Sequence, residues 1–238
     1  MKKPKRLNQY TKEGFARRTS RLIEAKEEAL RHADRLHVKL QRGNTKTGNE
    51  CWTVSLLPII DCVNSPCKME CYDLWHCCVM KSVVLDRARN SAIHEADIKR
   101  FWNEVDQQVK ANYIRALRIN VGGDLKYDDF KYVDSLATNN PNVEILFFTK
   151  NYAGINEYLE QHRFPQNLHA IMSAWKDFAM DNPHNLPVAH VLYADGSTTA
   201  PEYGAVYCNG NCTACLFDEN EQGCWELSNG DNVIFPAH

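Results

Sequence analysis

No apolar run in this chain exceeds the length of a strand. The richest runs, such as Ile145-Leu146-Phe147-Phe148, fall far short of the roughly 20 residues that a membrane-spanning helix needs. A membrane partner is therefore not expected. The start, Met1-Lys2-Lys3-Pro4-Lys5-Arg6, is charged and no apolar stretch follows it, so a secretory leader is not expected either. Also missing are a phosphate-cradling glycine loop closed by Lys-Ser/Thr, a Gly-x-Gly-x-x-Gly after a strand, and a nucleophile-elbow serine. His94-Glu95 lacks the second His of a helical zinc-protease site, and His169, His184 and His190 have no ligand spacing among themselves. The expected location is the cytoplasm, where reduced, clustered cysteines are more often metal ligands than disulfides.

Net charge is small, −2, but unevenly spread: residues 1–46 hold 14 Lys/Arg against 5 Asp/Glu, leaving 14 against 25 in the remainder. Residues 11–41 contain no proline, and Leu22, Ile23, Ala29, Leu30, Ala33, Leu36, His37 and Leu40 recur at helical spacing. This pattern predicts one long amphipathic helix, ended by Gly43. The expected organisation is a basic helical arm over 1–42 and an α/β domain over 43–238, with cysteine-rich loops at 62–78 and 208–224. The arm reads as a solvated charged helix that docks on the body or pairs with another helix. Its charge would also suit nucleic acid. No basic stripe interleaved with aromatics occurs elsewhere.

Beyond Gly43 the periodicity changes. Cys51–Leu57 reads as a first strand, and Ala116–Val121, Val143–Phe148, His169–Ser173, Val188–Tyr193 and a short Ala205-Val206-Tyr207 follow it. Helical patterns cover about 78–112, with a break expected near Asn90, and then Tyr127–Ala137 and Ile155–His162. Alternation of this kind predicts a parallel sheet with crossover helices: a partial (β/α)6-type barrel or an open curved sheet. Ligands in such folds gather at the carboxyl ends of strands. That rule selects Cys62, Gly122-Gly123-Asp124, Thr149-Lys150, Ser173, Tyr193 and Cys208.

Nine of the ten cysteines fall into two clusters that flank the repeat. The first reads Cys62-x4-Cys67-x3-Cys71, with His76, Cys77 and Cys78 close behind. The second reads Cys208-x3-Cys212-x2-Cys215, followed by Cys224. A hydrophobic content of 44% shows that these cysteines do not compensate for a missing core. Thiolates this close in sequence converge on a metal centre. The second spacing suits a [4Fe–4S] cluster, with Cys224 as fourth ligand, and a closed four-cysteine zinc site is the alternative. In the first cluster the expected ligands are Cys62, Cys67 and Cys71. The two groups serve one metal site or two. Gly122-Gly123 would let the backbone approach a ligand whose amine or hydroxyl Asp124 accepts; equally, the motif reads as a turn with Asp124 capping the next helix.

Asn44-Thr45-Lys46-Thr47-Gly48-Asn49, Cys67-x3-Cys71-Tyr72, Gly122-Gly123-Asp124, Phe148-Thr149-Lys150 and Cys212-x2-Cys215, taken in order, resemble the phage "gene product 88" family over about residues 43–226. That resemblance implies a phage or prophage origin, hence the host cytoplasm, and a cysteine-ligated centre. A cysteine loop after the first strand and a Gly-Gly-acid motif after the second are also similar to radical S-adenosylmethionine enzymes. That likeness implies an open iron–sulfur cluster on Cys62, Cys67 and Cys71, S-adenosylmethionine against Gly122, Gly123 and Asp124, and an auxiliary cluster on Cys208, Cys212, Cys215 and Cys224. The substrate would be an unidentified small molecule or macromolecule. Here the first loop is spaced x4-x3 where those enzymes have x3-x2.

Overall fold

A computed structural model describes residues 10–43, 47–63, 66–217 and 223–236. Its centre is one open sheet of seven parallel strands: β1 (Cys51–Val54), β2 (Ala116–Ile119), β3 (Glu144–Thr149), β4 (Leu168–Ser173), β5 (Val188–Leu192), β6 (Ala205–Tyr207) and β7 (Asn232–Pro236). Their spatial order is β1-β2-β3-β4-β5-β7-β6. The sheet does not close into a barrel. Six strands were expected; β7 is the addition, and it slots between β5 and β6 with Val233 and Ile234 buried. Among the described residues no helix is long and apolar enough to cross a membrane.

Side chains alternate across the sheet with a period of two. One face sends Leu117, Ile119, Ile145, Phe147, Ala170 and Met172 into the main core. Against them pack α3 (Ile98–Ala111), α4 (Tyr127–Asn139) and α5 (Tyr152–Leu159) through residues such as Phe101, Phe130 and Ile155. The other face presents Cys51, Ala116, Leu146, Ile171, Ala189 and Val233, covered in part by Cys215 and Trp225 from the C-terminal segment that includes α6 (Cys212–Phe217). This second face bears on function.

The N-terminal helix is shorter than its periodicity suggests. α1 runs Lys12–Leu30, capped by the Thr11 hydroxyl, which accepts from Gly14 N at 3.0 Å. A 3₁₀ turn at Ala33–Arg35 follows, and the chain then extends. The stretch Leu36-His37-Val38-Lys39-Leu40 alternates apolar and polar, and Val38 and Leu40 are buried while His37 and Lys39 are exposed. Tertiary partners saturate its backbone better than a helix would. Glu104 accepts from Val38 N at 2.8 Å, Asn90 accepts from Lys39 N at 2.8 Å and donates to Lys39 O at 3.0 Å, and Gln41 bridges Thr53 on the β1 edge. Asn90 thus straps the extended segment from inside α2 (Lys81–Ala96) and breaks no helix. The break comes at Asp97, whose side chain caps α3 by accepting from Arg100 N at 2.9 Å. His94, without a partner histidine in sequence, is instead tied to the buried Asp129 at 2.6 Å.

α1 docks on the body. Leu22 joins Leu57, Leu74, Cys78, Val84 and Ala88 in a satellite core. Below it Lys26 Nζ reaches Asp61 at 2.5 Å and Glu95 at 2.8 Å. Asp61 is 3% exposed and also accepts from Leu57 N, so this pair fixes the loop that carries Cys62. Lys26→Met should destabilise the protein by about 3–5 kcal/mol, because it strands a buried carboxylate. Urea unfolding measures this; a loss near zero would mean that α1 contributes no anchoring through Lys26.

Candidate ligand and metal centre at the strand ends

The loops after β1 and β2 lace together. Leu56 N donates to Gly122 O at 3.0 Å, Asp124 N to Asp61 O at 3.1 Å, and Val121 N to Ser55 Oγ at 3.1 Å. This lacing sets the Cys62 loop beside Gly122-Gly123-Asp124. Together they wall a cavity of about 380 Å³ at the carboxyl ends of the strands, and its lining also includes Cys67, Cys71, Arg118, Asn120 and Lys150. Of the residues selected by the strand-end rule, Cys62, Gly122-Gly123-Asp124, Lys150, Ser173 and Tyr193 line this cavity, whereas Cys208 lines another.

Gly123 has φ +83°, and a Cβ there would fall 2.7 Å from Leu56 Cβ. At Gly122 a Cβ would run into the buried Asp73–Arg87 ion pair, 2.2 Å from Asp73 Oδ2. Both glycines thus have packing reasons to be glycine, besides their place on the cavity wall. Asp124 does not simply cap the next helix. Its carboxylate accepts from Leu125 N at 2.8 Å, Thr149 Oγ1 at 2.7 Å and Lys150 N at 2.8 Å, latching the loop after β2 to the end of β3. Burial outweighs these donors and lifts its pKa to about 6.

Cys62, Cys67 and Cys71 come together on this wall. Burial and the nearby Asp124 carboxylate push Cys62 up to about 12, and its sulfur accepts from Ile59 N at 3.3 Å. Cys71 is raised by a hydrogen bond with Cys67, then by burial. Cys78 packs in one buried cluster with Cys71 and faces the Asp73–Arg87 pair, and Cys77 lies against Tyr72; neither lines the cavity. His76 is hydrogen-bonded to Tyr10 at 3.1 Å and stacks on Tyr72.

The second group forms around another cavity, of about 300 Å³, lined by Cys208, Cys212, Cys215 and Cys224. Cys212 and Cys215 sit three residues apart on α6 and so share a helix face. Trp225 Nε1 donates to Cys212 O at 3.0 Å, closing the C-terminal segment onto α6. Cys51, the one cysteine outside the sequence clusters, joins this group through a hydrogen bond with Cys212. Arg118 Nη1 lies 3.7 Å from Cys212 Sγ. Arg118, Phe148 and Phe235 line both cavities, so the two cysteine groups are distinct and flank a shared partition.

Thiols outside any disulfide gather around each cavity, a donor type that soft metals favour; burial raises Cys62 and Cys224, and a hydrogen bond with Cys67 followed by burial raises Cys71. Among the described residues no three His, Cys, Asp or Glu side chains are arranged to hold a metal ion. Sequence reasoning missed Cys51, Asp73, Arg118 and Asn120. A signal existed for the last two, since Arg118 and Asn120 alternate with buried Leu117 and Ile119 in a strand whose two faces should both be covered.

The family model described as Gene product 88 matches residues 10–229. The chain belongs to the Gene product 88 family. The matched span of this Gene product 88 protein takes in both cysteine groups, Gly122-Gly123-Asp124 and α1, so the docked helix is part of the family region. No curated protein and no solved structure matches the chain.

The raised Asp124 pKa gives a pH dependence of stability. Between pH 3.8 and about 6 the folded protein holds a proton that the unfolded chain has lost. Stability from this group is therefore complete at low pH and falls by ~3 kcal/mol as pH rises through about 6. Unfolding free energies from pH 4 to 7 should show this slope in the native protein and a flatter one in Asp124→Asn. Parallel curves would place the titration elsewhere.

Proposed function

We propose that this Gene product 88 protein is an iron–sulfur protein with a radical S-adenosylmethionine-like site, acting in the host cytoplasm on a phage-encoded task. The observation that carries the reading is the shared cavity: Cys62, Cys67 and Cys71 line the same wall region as Gly122, Gly123 and Asp124. The three thiolates would hold a cluster that leaves room for a ligand. Cys208, Cys212, Cys215 and Cys224 would hold a closed, supporting one. When bound, such an open cluster supplies the electron for reductive cleavage of S-adenosylmethionine. The chain itself binds and orients. Gly122 and Gly123 let their loop pack against Asp73 and Leu56 on the cavity wall, Asp124 fixes the ends of β2 and β3, and Phe148 and Phe235 stand between the two groups. The radical-enzyme likeness is one of motif order and of an α/β sheet, and fold analogy alone does not establish activity.

Zinc is the second reading, favoured at the C-terminal group by its apolar setting among Trp225, Leu216 and Leu227. There four thiolates around one ion would staple the tail to the sheet and leave the protein as a binding module. The partner in that reading is nucleic acid or protein met by the basic arm. The described part of that arm exposes seven basic side chains, Lys12, Arg17, Arg21, Arg31, Arg35, Lys39 and Arg42, against five acidic ones, Glu13, Glu24, Glu27, Glu28 and Asp34.

Anaerobic purification should yield coloured protein carrying iron and acid-labile sulfide in equal amounts. Colourless protein with stoichiometric zinc and no sulfide would overturn the iron–sulfur assignment. Replacing Cys62, Cys67 and Cys71 together by Ala should remove one centre and spare the other, read by iron content and visible absorption. Reduced protein should convert S-adenosylmethionine to 5′-deoxyadenosine, and Asp124→Ala should slow this by at least about tenfold if the loop it latches positions the ligand.

A further inference from the structure

Three residues that line the strand-end cavity each carry a buried polar atom with no hydrogen-bond partner among the described residues: Asp73 Oδ1, Arg118 Nε and Asn120 Nδ2. Such atoms are rare in folded proteins, because each forfeits its hydration without recompense. Asp73 is 4% exposed and Asn120 7% exposed, so bulk water does not serve them. Their clustering on one cavity marks a recognition surface.

The local structure explains their placement. Arg118 lies in β2 and Asn120 just beyond its end, and both line the cavity. Asn120 N continues the β1 pairing by donating to Val54 O at 2.8 Å, and its φ of 55° is a left-handed conformation that Asn tolerates. Among the described residues Arg118 meets the Cys212 sulfur at 3.7 Å and lies over the Phe148 ring at 4.9 Å; no carboxylate faces it. Beside Gly122, Asp73 spends Oδ2 on Arg87 and Cys78 and leaves Oδ1 unmatched among the described residues.

Two donors and one acceptor, from cationic Arg118, Asn120 and the Arg87-paired carboxylate of Asp73 on one cavity lining, call for a ligand of the reverse polarity. We infer that this cavity binds a small zwitterion, an amine-bearing carboxylate whose carboxylate meets Arg118 and Asn120 and whose ammonium meets Asp73. The aromatic lining, Phe148, Phe235 and Trp175, suits an apolar or ring-bearing remainder. Net neutrality matters, since a dianion would face Asp73 and the buried Asp124, and a dication would face Arg118 and Lys150. The amino-acid end of S-adenosylmethionine is one such zwitterion. The inference nevertheless rests on the three unmatched atoms and on no metal, so its failure and that of the iron–sulfur proposal are separable.

The test uses the ¹⁵N-labelled full chain and three ligands of one shape: L-phenylalanine, 3-phenylpropanoate and 2-phenylethylamine. Shifts of the Asn120 and Gly122 amide signals report occupancy of the cavity and give each Kd. L-phenylalanine should bind at least about tenfold more tightly than either singly charged analogue, the usual worth of one charge-assisted hydrogen bond. Asn120→Asp, which keeps the shape but replaces a donor by a like charge, should weaken L-phenylalanine by at least about tenfold. Equal affinities, preference for a singly charged analogue, absence of binding, or unchanged affinity in a folded Asn120→Asp protein each overturn the inference. If that variant does not fold, the three-ligand comparison on the native protein decides alone.

Discussion

The two-residue period of parallel strands governs what the rest of this protein can do. In β2 it sends Leu117 and Ile119 into a core capped by three helices, and it therefore obliges Ala116 and Arg118 to face the other way. A parallel sheet is stable only when both faces are covered. Helices α3, α4 and α5 cover one face over the central strands. The other has only the cysteine-bearing tail, Trp225 and the loops that follow β1 and β2, and cavities remain between them. The site is thus what is left when a sheet covers one face with helices and the other with loops.

Those loops hold position through buried polar ties, not through length or rigidity of their own. Asp124 joins the ends of β2 and β3, and Asp61 joins the loop after β1 to α1 through Lys26. The Asp73–Arg87 pair supports Gly122 from behind. Each tie is a carboxylate deep in the protein, costly to desolvate and matched by specific donors. A network of this kind specifies one arrangement of the cavity wall, because any other leaves a charge buried and unmatched.

Much of this was legible along the chain. Six of the seven strands and the open-sheet alternative followed from alternating apolar runs, and the strand-end rule brought Cys62, Gly122-Gly123-Asp124, Lys150, Ser173 and Tyr193 to one cavity. Three features were not legible, each for a nameable reason. The segment 36–40 carries apolar residues compatible with both helical and alternating periods, and only Glu104, Asn90 and Gln108 on α2 and α3 select the extended form. Val233-Ile234-Phe235 is too short a run to outweigh its Asn and Pro neighbours, and burial between β5 and β6 makes it a strand. Cys51 resembles any core cysteine until Cys212 packs beside it from 161 positions away.

By itself the sequence determined the class of fold, the edge of the sheet where polar and cysteine-bearing loops collect, and the clustering of nine cysteines into two groups, because period and spacing are local properties. Tertiary structure alone decided that these groups stay separate, parted by Arg118, Phe148 and Phe235. It also decided that Asp124 is a latch and that Asp73, Arg118 and Asn120 share a cavity. Those outcomes depend on which strand neighbours which and on which buried charges find partners. Both are long-range facts, settled only when the whole chain has minimised its unpaired polar groups at once.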